Sequence, residues 1–336
     1  MKLTVVSRNV LIKILINTLV GVILILVWLR FVSIEDILNR LSKVDLLTLI
    51  PVFLFLFLSP VLRAIRLKIL LSKHKLISLR DMVFLNGVAT MLNFFIPIRG
   101  GEIAKGVYLS HVYGLQMAKS IIWIFIDRFL DFLVVLICVG VLFFIVPTSL
   151  SITFIIIINI ILLVLISLTY TLIFQTGLSK KLFNFLIYLL PINSIKIYFE
   201  RYFNFLLECL SILKRKPEDL GILFFVTILA YLADAGVWYF TFISIDTPQN
   251  FISMLFGQMV SALTYLIPAA PGYIGSAEAS GLLVLSGILR IDPNIASAMT
   301  VLFHINTVIF VAIFGVLSIY FLKIDLGEIL NRILRK

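Results

Sequence analysis

Apolar residues run along this chain in blocks of about twenty, and polar positions fall between the blocks instead of alternating within them. Ile, Leu, Val and Phe dominate residues 10–29, 46–62, 120–146, 152–174, 220–243 and 295–322. Hydrocarbon about 30 Å thick takes roughly 20 helical residues, so each block predicts a membrane-spanning helix. Strands of a membrane barrel would be about ten residues long with strict alternation, and none is present. The predicted fold class is all-α, a polytopic helical membrane protein with about six full transmembrane helices.

Two further stretches break this rhythm. Residues 81–113 and 251–289 each hold an apolar arm, a Pro/Gly-rich break and a second arm, 102–113 or 276–289, too short to cross a bilayer alone. Both are expected to be re-entrant hairpins, since broken backbone at membrane depth survives only inside protein or beside a watery cavity. "LNFFIPIRGGEIAKG" from Leu92 and "LTYLIPAAPGYIGSAEASG" from Leu263 share Ile-Pro, then glycines, then a Glu just inside a new helix. Opposite insertion of two such elements would be an inverted repeat. Their first arms carry Asn86, Thr90 and Asn93, and Gln258, Ser261 and Tyr265, at helical spacing. These polar stripes either bond helix to helix or line a cavity.

Composition agrees with the pattern: 62% of the 336 residues are hydrophobic, 13% are charged, and mean hydropathy is +1.17, which excludes a water-facing globule. A single membrane domain over residues 1–336 is expected. The first apolar run has no small-residue cleavage site after it and is expected to be retained. Net charge is +11. With the N-terminus inside and both hairpins re-entrant, 23 of the 28 Lys and Arg fall on the cytoplasmic side, among them Arg63, Arg66 and the block Lys180–Lys216. Counting either hairpin as a crossing exports a basic block, so membrane orientation explains the charge and nucleic acid is not an expected partner. This layout puts both termini in the cytoplasm of a cell-membrane protein. Residues 178–216 mix Lys, Arg and Glu with Phe, Ile and Tyr, as amphipathic helices on the cytoplasmic face do. Cys138 and Cys209 suggest neither a disulfide nor a metal site. His74, His111 and His304 match no metal spacing, and no nucleotide-binding loop is present, so no metal, cofactor or catalytic residue is expected.

Charges at depth carry the candidate chemistry, because each costs about 2.5–3.5 kcal/mol at a helix centre and so faces the bundle with a partner. In "WIFIDRFLDFL", Asp127 and Asp131 share a face and Arg128 reaches Asp131 at i,i+3. Either this is a self-neutralising cluster that locks helices, or the carboxylates hold the Arg128 fork for a phosphate. Asp234, central in its span, would pair with a base across the bundle or bind a coupling proton or cation. At the breaks, Gly100–Gly101 and Gly275–Ser276 each open a short helix whose N–H groups form a ready anion site. Glu102 and Glu278 in those first turns equally well cap the helices. Arg99 and Lys105 flank the first tip.

"FFIPIRGGEIAKGVYL", "IDRFLDFLVV" and "LIPAAPGYIGSAEASGLLVL" resemble three signature segments of the lysylphosphatidylglycerol synthase transmembrane, flippase-like family. The resemblance covers nearly the whole chain, with Pro271–Glu278 its most specific part; Lys105 stands where Arg is expected, which keeps charge but loses the fork. It implies a membrane domain that moves a modified or carrier lipid between leaflets. The chain resembles the stand-alone module without the aminoacyl-transferase domain, so lysyl-lipid synthesis is not implied and no enzyme is expected. The predicted lipid-phosphate contacts are Arg99, Gly100, Gly101, Lys105, Arg128, Gly272, Gly275 and Ser276, with Glu102, Asp127, Asp131, Asp234 and Glu278 ordering those cations or accepting a coupling proton. Expected partners are membrane lipids and a phosphate-bearing lipid substrate, with a glycosyltransferase or lipid-synthesis enzyme as protein partner. A membrane-embedded lipid transferase using Glu102 or Glu278 as base, a small-anion transporter and a non-catalytic glycosyltransferase partner are the alternatives.

Overall fold

The computed structural model describes residues 8–72, 76–96, 100–188, 217–264 and 270–324, with a few positions between 196 and 207. All regular structure among them is helical. In chain order the helices are α1 (Arg8–Trp28), α2 (Ile34–Leu41), α3 (Ile50–Leu71), α4 (Leu79–Phe95), α5 (Gly100–Tyr113), α6 (Met117–Ile145), α7 (Ile152–Phe174), α8 (Thr176–Tyr188), α9 (Pro217–Ser244), α10 (Phe251–Thr264), α11 (Ser276–Gly281) and α12 (Pro293–Leu322). A π-helical stretch, Leu282–Ile288, continues α11.

Local chemistry starts the helices where short polar side chains precede apolar runs. Ser33, Ser78 and Ser151 accept from the backbone N–H three residues on and cap α2, α4 and α7. Asp292 accepts from Asn294 and Ile295, and Pro293 follows at the first helical position of α12. Five segments among the described residues are long and apolar enough to cross a membrane: Leu46–Leu71, Lys119–Ile145, Ile152–Phe174, Leu220–Ser244 and Pro293–Leu322. The 21-residue α1 stands beside them. The protein is a multi-pass helical membrane protein, and its large apolar side chains face outward along α1, α7 and α12.

One span differs from expectation. The apolar block over 46–62 does not end there; α3 runs on to Leu71 and carries Arg63 and Arg66 inside the bundle, not in a cytoplasmic loop. Carboxylates from α6 and α9 compensate both guanidinium groups, which removes the cost that would otherwise end the span. The segment before α3 also holds structure that hydropathy does not announce, the amphipathic α2 and a 3₁₀ turn at Leu46–Leu49.

α3 packs along α9 and α4 along α12, so these four helices form the centre. The two broken segments attach to it differently. α5 folds back on its own first arm, α4, and then meets α6. α11 makes little contact with α10 and lies instead against α1 and α12. Gly101 explains the first approach, because a Cβ there would run into the Ala89 backbone carbonyl. Gly275 explains the second: a Cβ would strike the Gly21 carbonyl of α1, and its φ of +82° is one that side chains resist.

Candidate functional site

α3 and α6 are both buried on the faces that meet, and the charged positions of the two helices coincide there. Arg66 has no exposed side-chain surface. Its Nε–H donates to Asp127 Oδ1 at 2.8 Å, while Nη1 and Nη2 donate to the two oxygens of Asp131 at 2.5 and 3.0 Å. Nη1 also reaches Thr227 of α9 at 3.0 Å. Such a two-pronged bond fixes direction as well as charge. One turn earlier, Arg63 Nη2 donates to Asp234 Oδ2 of α9 at 2.7 Å, Nη1 bonds Ser59, and the guanidinium lies over the Tyr231 ring. Asp234 therefore pairs across the bundle.

On the other side of the same carboxylates stands Arg128, with 36% of its side chain open. Its Nη2 bonds Asp127 Oδ2 at 2.8 Å and its Nη1 lies 3.3 Å from Asp131 Oδ2. Its Nε is 3.7 Å from Glu102 Oε1 of α5, beyond hydrogen-bond length, and makes no hydrogen bond. Glu102 in turn sits 3.6 Å from the Lys105 ammonium, whose side chain is only 3% exposed. Asn93 of α4 closes the tip: its Oδ1 accepts from the Gly101 N–H at 2.9 Å and its Nδ2 donates to Glu102 at 3.4 Å. Arg66, Lys105 and Arg128 balance Glu102, Asp127 and Asp131, so the network is neutral as a whole.

The second tip is simpler. Glu278 Oε2 accepts from the Gly275 N–H at 2.7 Å, which is the capping role. Its Oε1 lies 2.6 Å from His304 Nδ1 of α12, and His304 Nε2 lies 2.7 Å from the Gly272 carbonyl oxygen. Ser276 Oγ donates to the Tyr273 carbonyl. Beside this pair runs an otherwise apolar groove of about 320 Å³, lined also by Val301, Ile305, Val308 and Ile309. Phe94, next to Asn93 at the end of α4, places its ring 5.7 Å from Tyr273 and 6.1 Å from His304. The two broken segments thus meet at neighbouring residues of α4.

Of the residues expected from sequence, Lys105, Arg128, Glu102, Asp127 and Asp131 come together in one network. Asp234 belongs to a second pair one helical turn along α3. Gly272, Gly275, Ser276 and Glu278 form the other tip. Gly100 and Gly101 are buried, and Gly101 serves helix packing. Arg99 lies outside the described residues, as do Tyr265 and most of 189–216. The polar stripes bond helix to helix at Asn86, which donates to the Pro60 carbonyl, at Asn93, and at Ser261 beside Ser280.

Three residues of these clusters are not marked by the sequence pattern: Arg63, Arg66 and His304. For the arginines a signal existed, since "LKILL" resumes the apolar run after Arg66 and the two are three apart, on one helix face, as partners for buried aspartates must be. For His304 the only hint was that an isolated Glu at depth requires a partner.

The family model of the lysylphosphatidylglycerol synthase TM region matches residues 10–315. The chain belongs to that family, and membership points to a membrane, lipid-related function. None of the curated proteins matches the chain.

Proposed function

We propose that this protein moves a phosphate-bearing lipid between leaflets, as a flippase or scramblase, and acts as a carrier and not a catalyst. The observation that carries the reading is the state of Arg128. Three carboxylates hold its guanidinium on one side, while more than a third of the side chain stays open. A guanidinium has five N–H donors, and the bond to Asp127 with the 3.3 Å approach to Asp131 leaves donors over for a phosphoryl group. Arg66, wholly enclosed, orients the two aspartates that aim Arg128.

The network's neutrality bears on the substrate. A head group with a phosphate alone would leave excess negative charge in a low-dielectric site. One that also carries an amine would put its phosphate on Arg128 and its ammonium on Glu102, preserving the balance. Phospholipids and aminoacyl-lipids of that kind fit best, and polyprenyl-phosphate lipids less well. In this reading the 81–113 and 251–289 segments are re-entrant hairpins entering from opposite faces, both termini are cytoplasmic, and the head group passes between the tips where Phe94 meets Tyr273 while the tails remain in lipid. Rocking of two inverted repeats about this site would alternate its exposure.

Purified protein in vesicles with head-group-labelled lipids tests this. Wild type should move the label, Arg128→Ala should abolish movement, and Arg128→Lys should recover only part, because a point charge lacks the fork. If wild type moves neither phospholipid nor polyprenyl-phosphate lipid under any imposed gradient, the reading fails.

A further inference from the structure

The bonding of His304 imposes a hydrogen count. Its Nδ1 faces a carboxylate oxygen at 2.6 Å and its Nε2 faces a carbonyl oxygen at 2.7 Å. A carbonyl only accepts, so Nε2 must carry a hydrogen. The Glu278–Nδ1 contact needs another, whether it sits on the ring or on the acid. Two hydrogens shared between one imidazole and one carboxyl group make a pair with one proton more than neutral His and ionised Glu hold together.

We propose that Glu278 and His304 form a proton-binding site that fastens the second broken segment to α12, and that loss of the proton releases the Gly272–Gly275 turn. When the proton leaves for bulk water, one hydrogen remains for two contacts and the pair changes from neutral to a single negative charge. Glu278 stays held by the Gly275 N–H. The contact that gives way is then the one to the Gly272 carbonyl, where a bare nitrogen would face an oxygen.

That turn is held in a strained conformation. Gly272 at φ +70° is followed by Tyr273 at φ +57°, a left-handed conformation that costs a side-chain-bearing residue about 1 kcal/mol. The surroundings among the described residues are poor in other charges. Among the described residues no Asp, Glu, Lys, Arg or second His lies on α1 from Leu15 to Trp28, on α10, elsewhere on α11 and its π continuation, or elsewhere on α12. The turn itself adds Tyr273, α4 presents Phe94, and Arg80 and Asp81 stand at the far end of α4. With no cation in contact with the pair among the described residues, the proton-free state is disfavoured in apolar surroundings and forms when water reaches the groove.

The proton site stands on its own geometry; that it gates lipid passage rests on the lipid-transport reading. The test uses the full chain in phospholipid vesicles, with Cys138 and Cys209 replaced by Ser and the exposed Ile274 replaced by Cys. Maleimide labelling of that Cys is compared with the same protein carrying Glu278→Gln, so that thiol chemistry cancels at each pH. Gln keeps both contacts without the titrating proton, its amide donating to Nδ1. The labelling ratio should be near one at about pH 6 and rise to about tenfold at about pH 9, as for a two-state shift of that size. A ratio that stays at one across the range overturns the proposal. Histidine ¹⁵N spectra of protein without the Gln change supply a second measurement: His304 should have hydrogen on or bonded to both ring nitrogens at about pH 6. A free, unbonded nitrogen there also overturns it. Loss of lipid movement in wild type with the labelling intact sinks the transport reading and leaves the proton site standing.

Discussion

At the first tip, Glu102 and Lys105 of α5 are joined by Arg128, Asp127 and Asp131 of α6 and by Arg66 of α3; at the second, Glu278 of α11 meets His304 of α12 and no further charge among the described residues. In sequence the two breaks read as variants of one pattern, Ile-Pro, glycines and a Glu in the first turn. In space, α5 returns to its own first arm while α11 leaves its arm for α1 and α12. The partner helix, and not the local motif, decides what the Glu does: Glu278 caps its helix and meets a histidine, whereas Asn93 caps in place of Glu102 and frees it for the cations. A shared network tolerates a change of one proton because other charges remain to compensate. A lone pair has no such reserve, so the second tip is where a proton matters.

Five substitutions test this contrast. The largest effect is expected from Arg66→Met, which leaves Asp127 and Asp131 buried with Arg128 as their one remaining ion-pair partner among the described residues. It should cost about 3–5 kcal/mol, read as a lowered unfolding midpoint in detergent. Adding Asp127→Asn and Asp131→Asn should restore most of that loss; if the single change is silent, the first tip is not held by its charges.

The tip glycines give the next step. Gly275→Ala meets both the Gly21 carbonyl and an unfavourable φ, and should cost about 2–3 kcal/mol; Gly101→Ala meets only the Ala89 backbone, and should cost about 1–2. Unfolding curves in which Gly101→Ala is the more damaging would reverse the proposed difference in packing.

Arg128→Ala separates structure from function. With more than a third of the side chain open, its loss should lower stability by only about 1–2 kcal/mol, well below Arg66→Met, yet lipid movement should stop. Equal stability losses for the two arginines would mean that Arg128 is a structural member like Arg66. The smallest effect belongs to Asn93→Ala. It removes the bond to the Gly101 N–H and should cost about 1 kcal/mol, with faster amide exchange confined to the start of α5.

Much of the fold is legible in the chain because hydrocarbon is an unforgiving solvent. The blocks over 120–146, 152–174, 220–243 and 295–322 become α6, α7, α9 and α12 with ends within a few residues. The short arms over 102–113 and 276–289 are helices that follow breaks. The block over 46–62 misleads because hydropathy treats each Arg as an exit from the membrane, and it has no knowledge of Asp127, Asp131 and Asp234 on helices far along the chain. The same blindness hides His304. Its surroundings in "VLFHINTV" are apolar, and nothing in that stretch tells that residue 278 stands against it. In contrast, the Arg128–Asp131 contact is visible in advance, since i,i+3 geometry belongs to any helix.

The chain's own pattern says what each segment must be: helical, because unpaired backbone is not tolerated in lipid, broken where Pro and Gly cluster and not at an isolated one such as Pro60, and charged at depth only where partners exist. Only the tertiary structure decided who those partners are. Arg66 takes Asp127 and Asp131 because α3 crosses α6 at those turns, Arg63 takes Asp234 because α9 runs beside it, and Glu278 takes His304 because α11 leaves α10 for α12. Pairing over such sequence separations depends on packing between helices, which no local pattern encodes.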